Sequence, residues 1–175
     1  LTQRHPMSAG FENSTFNSLN AFRFINTAGE VGWVRWSMVP VQPFEPISAA
    51  GSAQGGTNQL FDALIEAFHR HPLEWHLILT IAQQGDPTEN ATLPWPPDRR
   101  QVDVGTLTIE RAERDDTSPA RDINLDPLVL PDGIATSDDP LLSARSAVYA
   151  PSYTRREGEH KYPSAISPAE AAKCA

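Results

Sequence analysis

Ser137-Asp-Asp-Pro-Leu-Leu-Ser-Ala-Arg-Ser-Ala-Val-Tyr149 is the stretch from which the fold of this 175-residue chain can be read. Ser137 or Asp138 offers a side-chain oxygen of the kind that caps a helix N-terminus. Pro140 suits the first turn, where its missing N–H would have no partner in any case. The segment therefore predicts a helix beginning near 140. Arg145 and Tyr149, four residues apart, share one face of it, and long helical side chains lean toward the N-terminus. The phenol of Tyr149 then lies back along the guanidinium of Arg145. Tyrosine ionises near pH ~10 in isolation, and a cation within hydrogen-bond reach favours the phenolate. A phenolate beside a permanent positive charge can ligate ferric iron. An Arg–Tyr pair at this spacing is more often a surface stack, so the flanking residues decide between the two.

Upstream of the pair, Leu125-Asp-Pro127 is followed by Leu130-Pro-Asp-Gly-Ile134 and then by Ser137-Asp-Asp-Pro-Leu-Leu142. This succession resembles the haem-ligand segment of the catalase superfamily, where a Phe-Asp-Pro turn, a Pro-Gly-Ile bend and an Arg-x-x-x-Tyr helix follow at similar spacing. Trp95-Pro96 followed by Val104-Gly-Thr-Leu-Thr-Ile-Glu110 resembles the Val-Trp-Pro stretch and last barrel strand of that superfamily. Asn20-Ala-Phe-Arg-Phe-Ile-Asn26, Gly29 and Val34-Arg-Trp36 are similar to a strand pair that opens the second half of its barrel. The matches run in order from about residue 17 to about residue 158. Ser-Asp-Asp-Pro-Leu-Leu before the helix and Arg155-Arg156 after it most resemble the short members called catalase-related peroxidases. Ala147 stands where large catalases prefer an aromatic, a departure that argues against a large-subunit enzyme and weakens any carry-over of the nicotinamide site some of those enzymes have.

The resemblance implies an α+β fold: the second half of a catalase-like antiparallel β-barrel, with an inserted helix, a wrapping arm and a proximal haem-ligand helix. It divides residues 1–175 into a linker (1–19), barrel strands and helix (20–111), a wrapping arm (112–136), the ligand helix and following segment (137–158), and a tail (159–175). It implies a haem, presumed b-type, in a peroxidase acting on hydrogen or organic peroxides with a separate reductant. Tyr149 would be the axial ligand and Arg145 its cationic neighbour. Arg156, with Arg155 as an adjacent competitor, would pair with a haem propionate as a guanidinium suits a carboxylate. Pro127 and Val148 fall where the family lines the haem, and each could equally be a turn or core residue. The family's distal histidine and asparagine lie in its N-terminal half, which nothing here matches. His5 reads as a linker residue. A missing N-terminal half or a partner chain is therefore expected to complete the enzyme, in the periplasm or the cytoplasm, with the resemblance leaning to the periplasm. Two alternatives stay open: a non-enzymatic catalase-fold remnant or binding module, and a catalase-fold enzyme converting fatty hydroperoxides.

Composition sets the outer bounds. The length suits one domain. Sixteen prolines exceed the roughly nine that average usage gives a chain of this size and suit extended, wrapping connections. A net charge of −8 is the wrong sign for nucleic acid or an anionic membrane surface. No apolar run approaches the ~20 residues that span a bilayer. One cysteine, Cys174, excludes an internal disulfide framework.

Hydrophobic periodicity predicts four strands and one helix before the ligand helix. Residues 20–26 alternate, with Phe22 and Phe24 on one face. Asn26-Thr-Ala-Gly29 is turn chemistry, and Val34, Trp36 and Met38 share a face of the next strand. Thr57 or Asn58 can cap a helix carrying Leu60, Phe61, Leu64, Ile65 and Phe68 as a core-facing stripe that stops before Pro72. Residues 75–82 read as apolar on both faces, as in a strand covered on both sides. Residues 105–110 alternate, with Leu107 and Ile109 inward. Four strands are too few to close a barrel around a ligand, which takes about eight, so exposed sheet edges are expected. His69 and His71 at the helix end do not share a face and read as a solvated terminus. Asn13-Ser-Thr15 and Asn90-Ala-Thr92 fit the glycosylation pattern, a signal too short to carry weight alone.

Overall fold

The computed structural model describes residues 7–47, 58–112 and 122–163. His5, Thr57, Cys174, residues 113–121 of the arm and 164–175 of the tail lie outside the described residues. Among those described, six strands form where periodicity predicts four: β1 (Phe16–Asn17), β2 (Phe22–Ile25), β3 (Val31–Pro40), β4 (Leu73–Ile81), β5 (Gln101–Ile109) and β6 (Ile134–Thr136). Two helices accompany them, α1 (Gln59–Phe68) and α2 (Pro140–Gly158).

The expected hairpin is present, and its turn explains its register. Asn26 Oδ1 accepts from the backbone N–H of Ala28 (3.0 Å) and of Glu30 (2.9 Å), an Asx turn. Gly29 takes the left-handed φ of 80° that a side chain would resist. This brings Phe22 opposite Val34 and Phe24 opposite Gly32. β4 then pairs antiparallel with β3, and β5 with β4. The two unpredicted strands are short. β1 adds to the far end of β3 through Phe16 and Asn17, and β6 adds to the other side of β2. The sheet runs β5-β4-β3-β2-β6, all pairs antiparallel, with no pairing of β5 to β6 among the described residues.

Two expectations about burial are corrected. β4 is not equivalent on its two faces: Leu73, Trp75 and Leu79 are buried, while Glu74 and His76 on the other face meet Thr108 (3.1 Å) and Asp103 (3.1 Å) across the sheet. That is the two-residue period of a sheet with one covered face. Leu107 and Ile109, expected inward, are 43% and 38% exposed. They lie on β5 at the sheet edge, beyond the cover that α1 provides. The packed centre is Ala67 with Leu73 and Trp75, joined by Met38, Leu64 and Phe68. Of the predicted helical stripe, Leu64 and Phe68 reach this cluster. Leu60 and Phe61 stay largely exposed, Phe61 resting 5.6 Å from the Phe11 ring. Asn13 is buried and accepts from Ser8 Oγ and Gly10 N, so its glycosylation pattern is inaccessible.

The β4–β5 connection is ordered by charge. Arg99 Nε and Nη2 donate to Asp86 Oδ2 (2.7 Å) and Oδ1 (2.8 Å), and the Asp86 side chain is only 4% exposed. The Arg99 hydrogen bond, then the Gln83 N–H, hold the Asp86 carboxyl down at about 2. A carboxyl depressed from the usual ~3.9 contributes stability above the higher value and loses it as pH falls toward the lower. Asp86→Asn is therefore expected to lower stability at neutral pH and to shrink the loss between about pH 4 and pH 2. Urea unfolding followed by tryptophan fluorescence across that range checks this; an unchanged pH slope would contradict it.

Candidate functional site

The candidate side chains Arg145, Tyr149 and Arg156 sit on α2, and the helix is placed from its first residue. Asp139, rather than the expected Ser137 or Asp138, is the N-cap. Its Oδ1 accepts from Leu141 N (2.9 Å), with Pro140 at the first helical position. Ser137 Oγ instead accepts from Asp139 N at 3.4 Å. Asp139 wins because its second oxygen has a partner elsewhere: Oδ2 accepts from Ala91 N (2.7 Å), binding the helix start to the β4–β5 connection. The residue is 6% exposed, and Leu142 behind it is fully buried.

That connection is held in turn by Arg35 of β3. Its guanidinium donates to the carbonyls of Leu93 (2.9 Å) and Asn90 (3.3 Å) and lies 4.6 Å from the Trp95 ring centroid. Burial pulls the Arg35 pKa down, while Asp139 and Asp86 act in the opposite sense. Trp95 Nε1 donates to Pro87 O (2.7 Å). Sheet, loop and helix start thus form one polar unit.

Past Leu142 the helix is mostly solvent-exposed, and its half-buried positions Ser146, Tyr149, Tyr153 and Arg156 follow one stripe. The stripe faces the described end of the arm. Asp126 Oδ2 accepts from Ser146 Oγ (2.7 Å), and its Oδ1 accepts from Leu128 N (2.9 Å). The Leu128 and then the Ser146 hydrogen bond lower the pKa of Asp126. Arg156 Nη2 donates to Ile123 O (3.4 Å), and Lys161 Nζ pairs with Asp122. Helix and arm enclose a cleft of about 340 Å³, walled by Arg145, Tyr149, Ser152 and Arg156 on one side and by residues 123–125 on the other.

Inside it the predicted pair is formed. Tyr149 Oη accepts from both Arg145 Nε (3.1 Å) and Nη2 (2.8 Å), and the guanidinium carbon stands 5.4 Å from the ring centroid. Two N–H donors of one guanidinium thus converge on one phenol oxygen. Arg156 lies on the same wall, so three of the five predicted site residues share the cleft. Pro127 and Val148 do not line it. Pro127 is half-buried in the turn after Asp126, and Val148 is 65% exposed. The contributions of Asp126, Ser146 and Arg35 went unread in the sequence. An Asp-Pro pair after an apolar residue signals an Asx turn, and Ser146 one turn past the buried Leu142 marks a polar contact; neither signal names its partner.

A second groove of about 600 Å³ runs beside Arg35, Ser37, Thr80 and Trp95. Arg35 is the ionisable group on its described lining and is already engaged with backbone carbonyls. Among the described residues no three His, Cys, Asp or Glu side chains gather as a metal site, and no helix is long and apolar enough to cross a membrane. The side chains of the cleft are of the kinds that suit a ferric porphyrin: a phenol oxygen oriented by a cation, and on the same wall a second guanidinium, a group that pairs with carboxylates.

Comparison with known proteins gives the family and the fold. The family model described as catalase matches residues 2–166. A catalase-related peroxidase of Synechococcus elongatus is 40% identical over 156 residues, which cover 89% of this chain and 46% of that protein. A catalase-related peroxidase of Mycolicibacterium paratuberculosis is 29% identical over 158 residues, covering 90% of this chain and 50% of that one. The chain thus spans about half the length of these relatives. Among solved structures, a bacterial catalase superposes with a TM-score of 0.74 at 22% identity over 86% of this chain and 32% of its own. A fungal catalase gives 0.75 at 17% identity, covering 94% and 35%. These last two likenesses speak for the fold alone.

Because Asp139 satisfies two N–H groups at once, Asp139→Ala is expected to destabilise the protein by about 1–2 kcal/mol for the cap, with faster amide exchange at residues 91 and 141–149. Hydrogen-exchange mass spectrometry checks this. Unchanged exchange over 141–149 would mean that the helix is positioned by other contacts.

Proposed function

The chain belongs to the catalase family, and from that premise we propose that it is the tyrosine-bearing half of a haem-dependent peroxidase acting on hydrogen or organic peroxides. The observation that carries this reading is the double hydrogen bond from Arg145 to the Tyr149 oxygen. Ferric haem, b-type by family analogy, would supply the redox chemistry that splits the peroxide O–O bond heterolytically. The chain's own residues have three tasks. Tyr149 would hold the iron through its phenol oxygen. Arg145 orients that oxygen through its two hydrogen bonds. Arg156 offers a guanidinium to a propionate from the same cleft wall.

Among the described residues that line the cleft there is no histidine or carboxylate to pass a proton to peroxide. The proposal therefore assigns the distal acid–base group to the rest of the enzyme, supplied by a missing N-terminal half or a partner chain; the relatives are about twice as long as the matched part. A reductant completes turnover. Leu107 and Ile109 on the exposed edge strand suit a surface that the remaining half would cover.

In the complete protein, Tyr149→Phe is expected to abolish the tyrosinate-ligated ferric spectrum and peroxide turnover. Arg145→Leu is expected to weaken haem retention by about 10- to 100-fold, the equivalent of losing a charge-assisted hydrogen bond. Absorption spectra and haem-transfer assays test both. A wild-type spectrum and activity in Tyr149→Phe would overturn the assignment, and haem-independent behaviour throughout would favour a binding module that kept the fold alone. Product analysis with fatty hydroperoxides separates reduction from rearrangement.

A further inference from the structure

We infer that Asp126, acting through Ser146, is a positioning residue that fixes the rotation of α2 and so aims Tyr149 into the cleft; this rests on the reading of Tyr149 as the iron ligand. The need for such a device follows from how the helix is held. Its first turn is anchored firmly, through Asp139 and the buried Leu142. Beyond that it is largely exposed and contributes no further buried residue. A helix fixed at one end is free to tilt and to turn about its axis. Tyr149, two turns further on, would swing with it.

Ser146 lies one turn past Leu142 and just short of one turn before Tyr149. Its hydroxyl donates to Asp126 Oδ2 at 2.7 Å, against 3.4 Å for the bond from Arg156 to the Ile123 carbonyl further along the helix. Asp126 is itself held: Oδ1 accepts from Leu128 N (2.9 Å), and its carbonyl accepts from Val129 N (3.2 Å). The carboxylate is therefore set by a closed turn. Among the described residues of the arm, Leu125 is 79% exposed and Ile123 and Asn124 are also exposed; Arg156 meets the Ile123 carbonyl and Lys161 meets Asp122 on the other side of this stretch. The Asp126–Ser146 bond thus does two things: it stops rotation of the helix and fixes the opposite wall of the cleft at the level of Tyr149. Neither side chain lines the cleft, so the effect is on geometry, not on ligand contact.

The test compares ferric protoporphyrin with metal-free protoporphyrin, both titrated into the full chain. Tyr149 can favour the ferric form only by reaching the iron, so the ratio of the two affinities reports its aim. A role confined to stability would weaken both ligands equally. Ser146→Ala is expected to lower the ratio about tenfold, the effect of one hydrogen bond to a charged group, and to speed amide exchange over residues 122–130. Ser146→Thr, which keeps the hydroxyl, should restore both. Asp126→Ala should match Ser146→Ala, and the double variant should add little to either single one. A wild-type ratio in Ser146→Ala, or equal weakening of both ligands, overturns the positioning role. A wild-type ratio in Tyr149→Phe, or no preference for the ferric form in the unaltered chain, instead overturns the ligand reading on which it rests.

Discussion

Asp139 accepts two backbone hydrogen bonds from parts of the chain about fifty residues apart, Leu141 N at the start of α2 and Ala91 N in the β4–β5 connection. Buried and acidic, it is tolerable only because both oxygens are satisfied and because Arg35 stands near it. The arrangement converts a local rule, that a carboxylate caps a helix, into a long-range one. The sheet positions Arg35, Arg35 organises the loop, and the loop presents the N–H that selects Asp139 over its neighbours. Everything downstream inherits that choice. Had Asp138 capped instead, the helix would begin one residue earlier and its faces would be turned by about 100° relative to the loop, carrying Tyr149 away from the arm.

The order of these dependencies explains what the sequence disclosed. The Arg145–Tyr149 contact is local, set by helical spacing alone, and it forms as expected. The hairpin is also local, because Asn26 and Gly29 carry the turn chemistry themselves. Properties that depend on distant partners were not legible. β1 and β6 have two and three residues, too short for periodicity, and exist because β3 and β2 offer open edges. Residues 75–82 look apolar on both faces, yet His76 and Thr80, with Glu74 just before the stretch, share a face that only the pairing to β3 and β5 defines. Leu107 and Ile109 alternate as core residues do, and their exposure reflects what covers β5, not how it is written.

α2 gives the sharpest case. Pro151 would ordinarily end a helix near Ala150, since it removes an N–H and crowds the preceding turn. α2 nevertheless continues to Gly158. Its continuation carries Tyr153 and Arg156 onto the stripe that faces the arm, where Arg156 reaches Ile123 O. Contacts on that stripe offset a local penalty, so the position of Arg156 in the cleft is a tertiary result. Asp126 and Ser146 likewise read as ordinary turn and surface residues until the arm and helix are seen together.

What the fold provides is one wall of a site, attached to a sheet whose outer strand is uncovered. Under the proposed function this wall would hold the iron side of a peroxidase but would not by itself run the reaction. The direct measurement is to purify the chain alone, add ferric haem, and follow peroxide consumption together with amide exchange across β4 and β5. The expected result is a solvent-open haem complex with turnover no greater than that of haem in buffer, and weak protection along Gln101–Ile109. Robust turnover by a monomer with those strands strongly protected would contradict it.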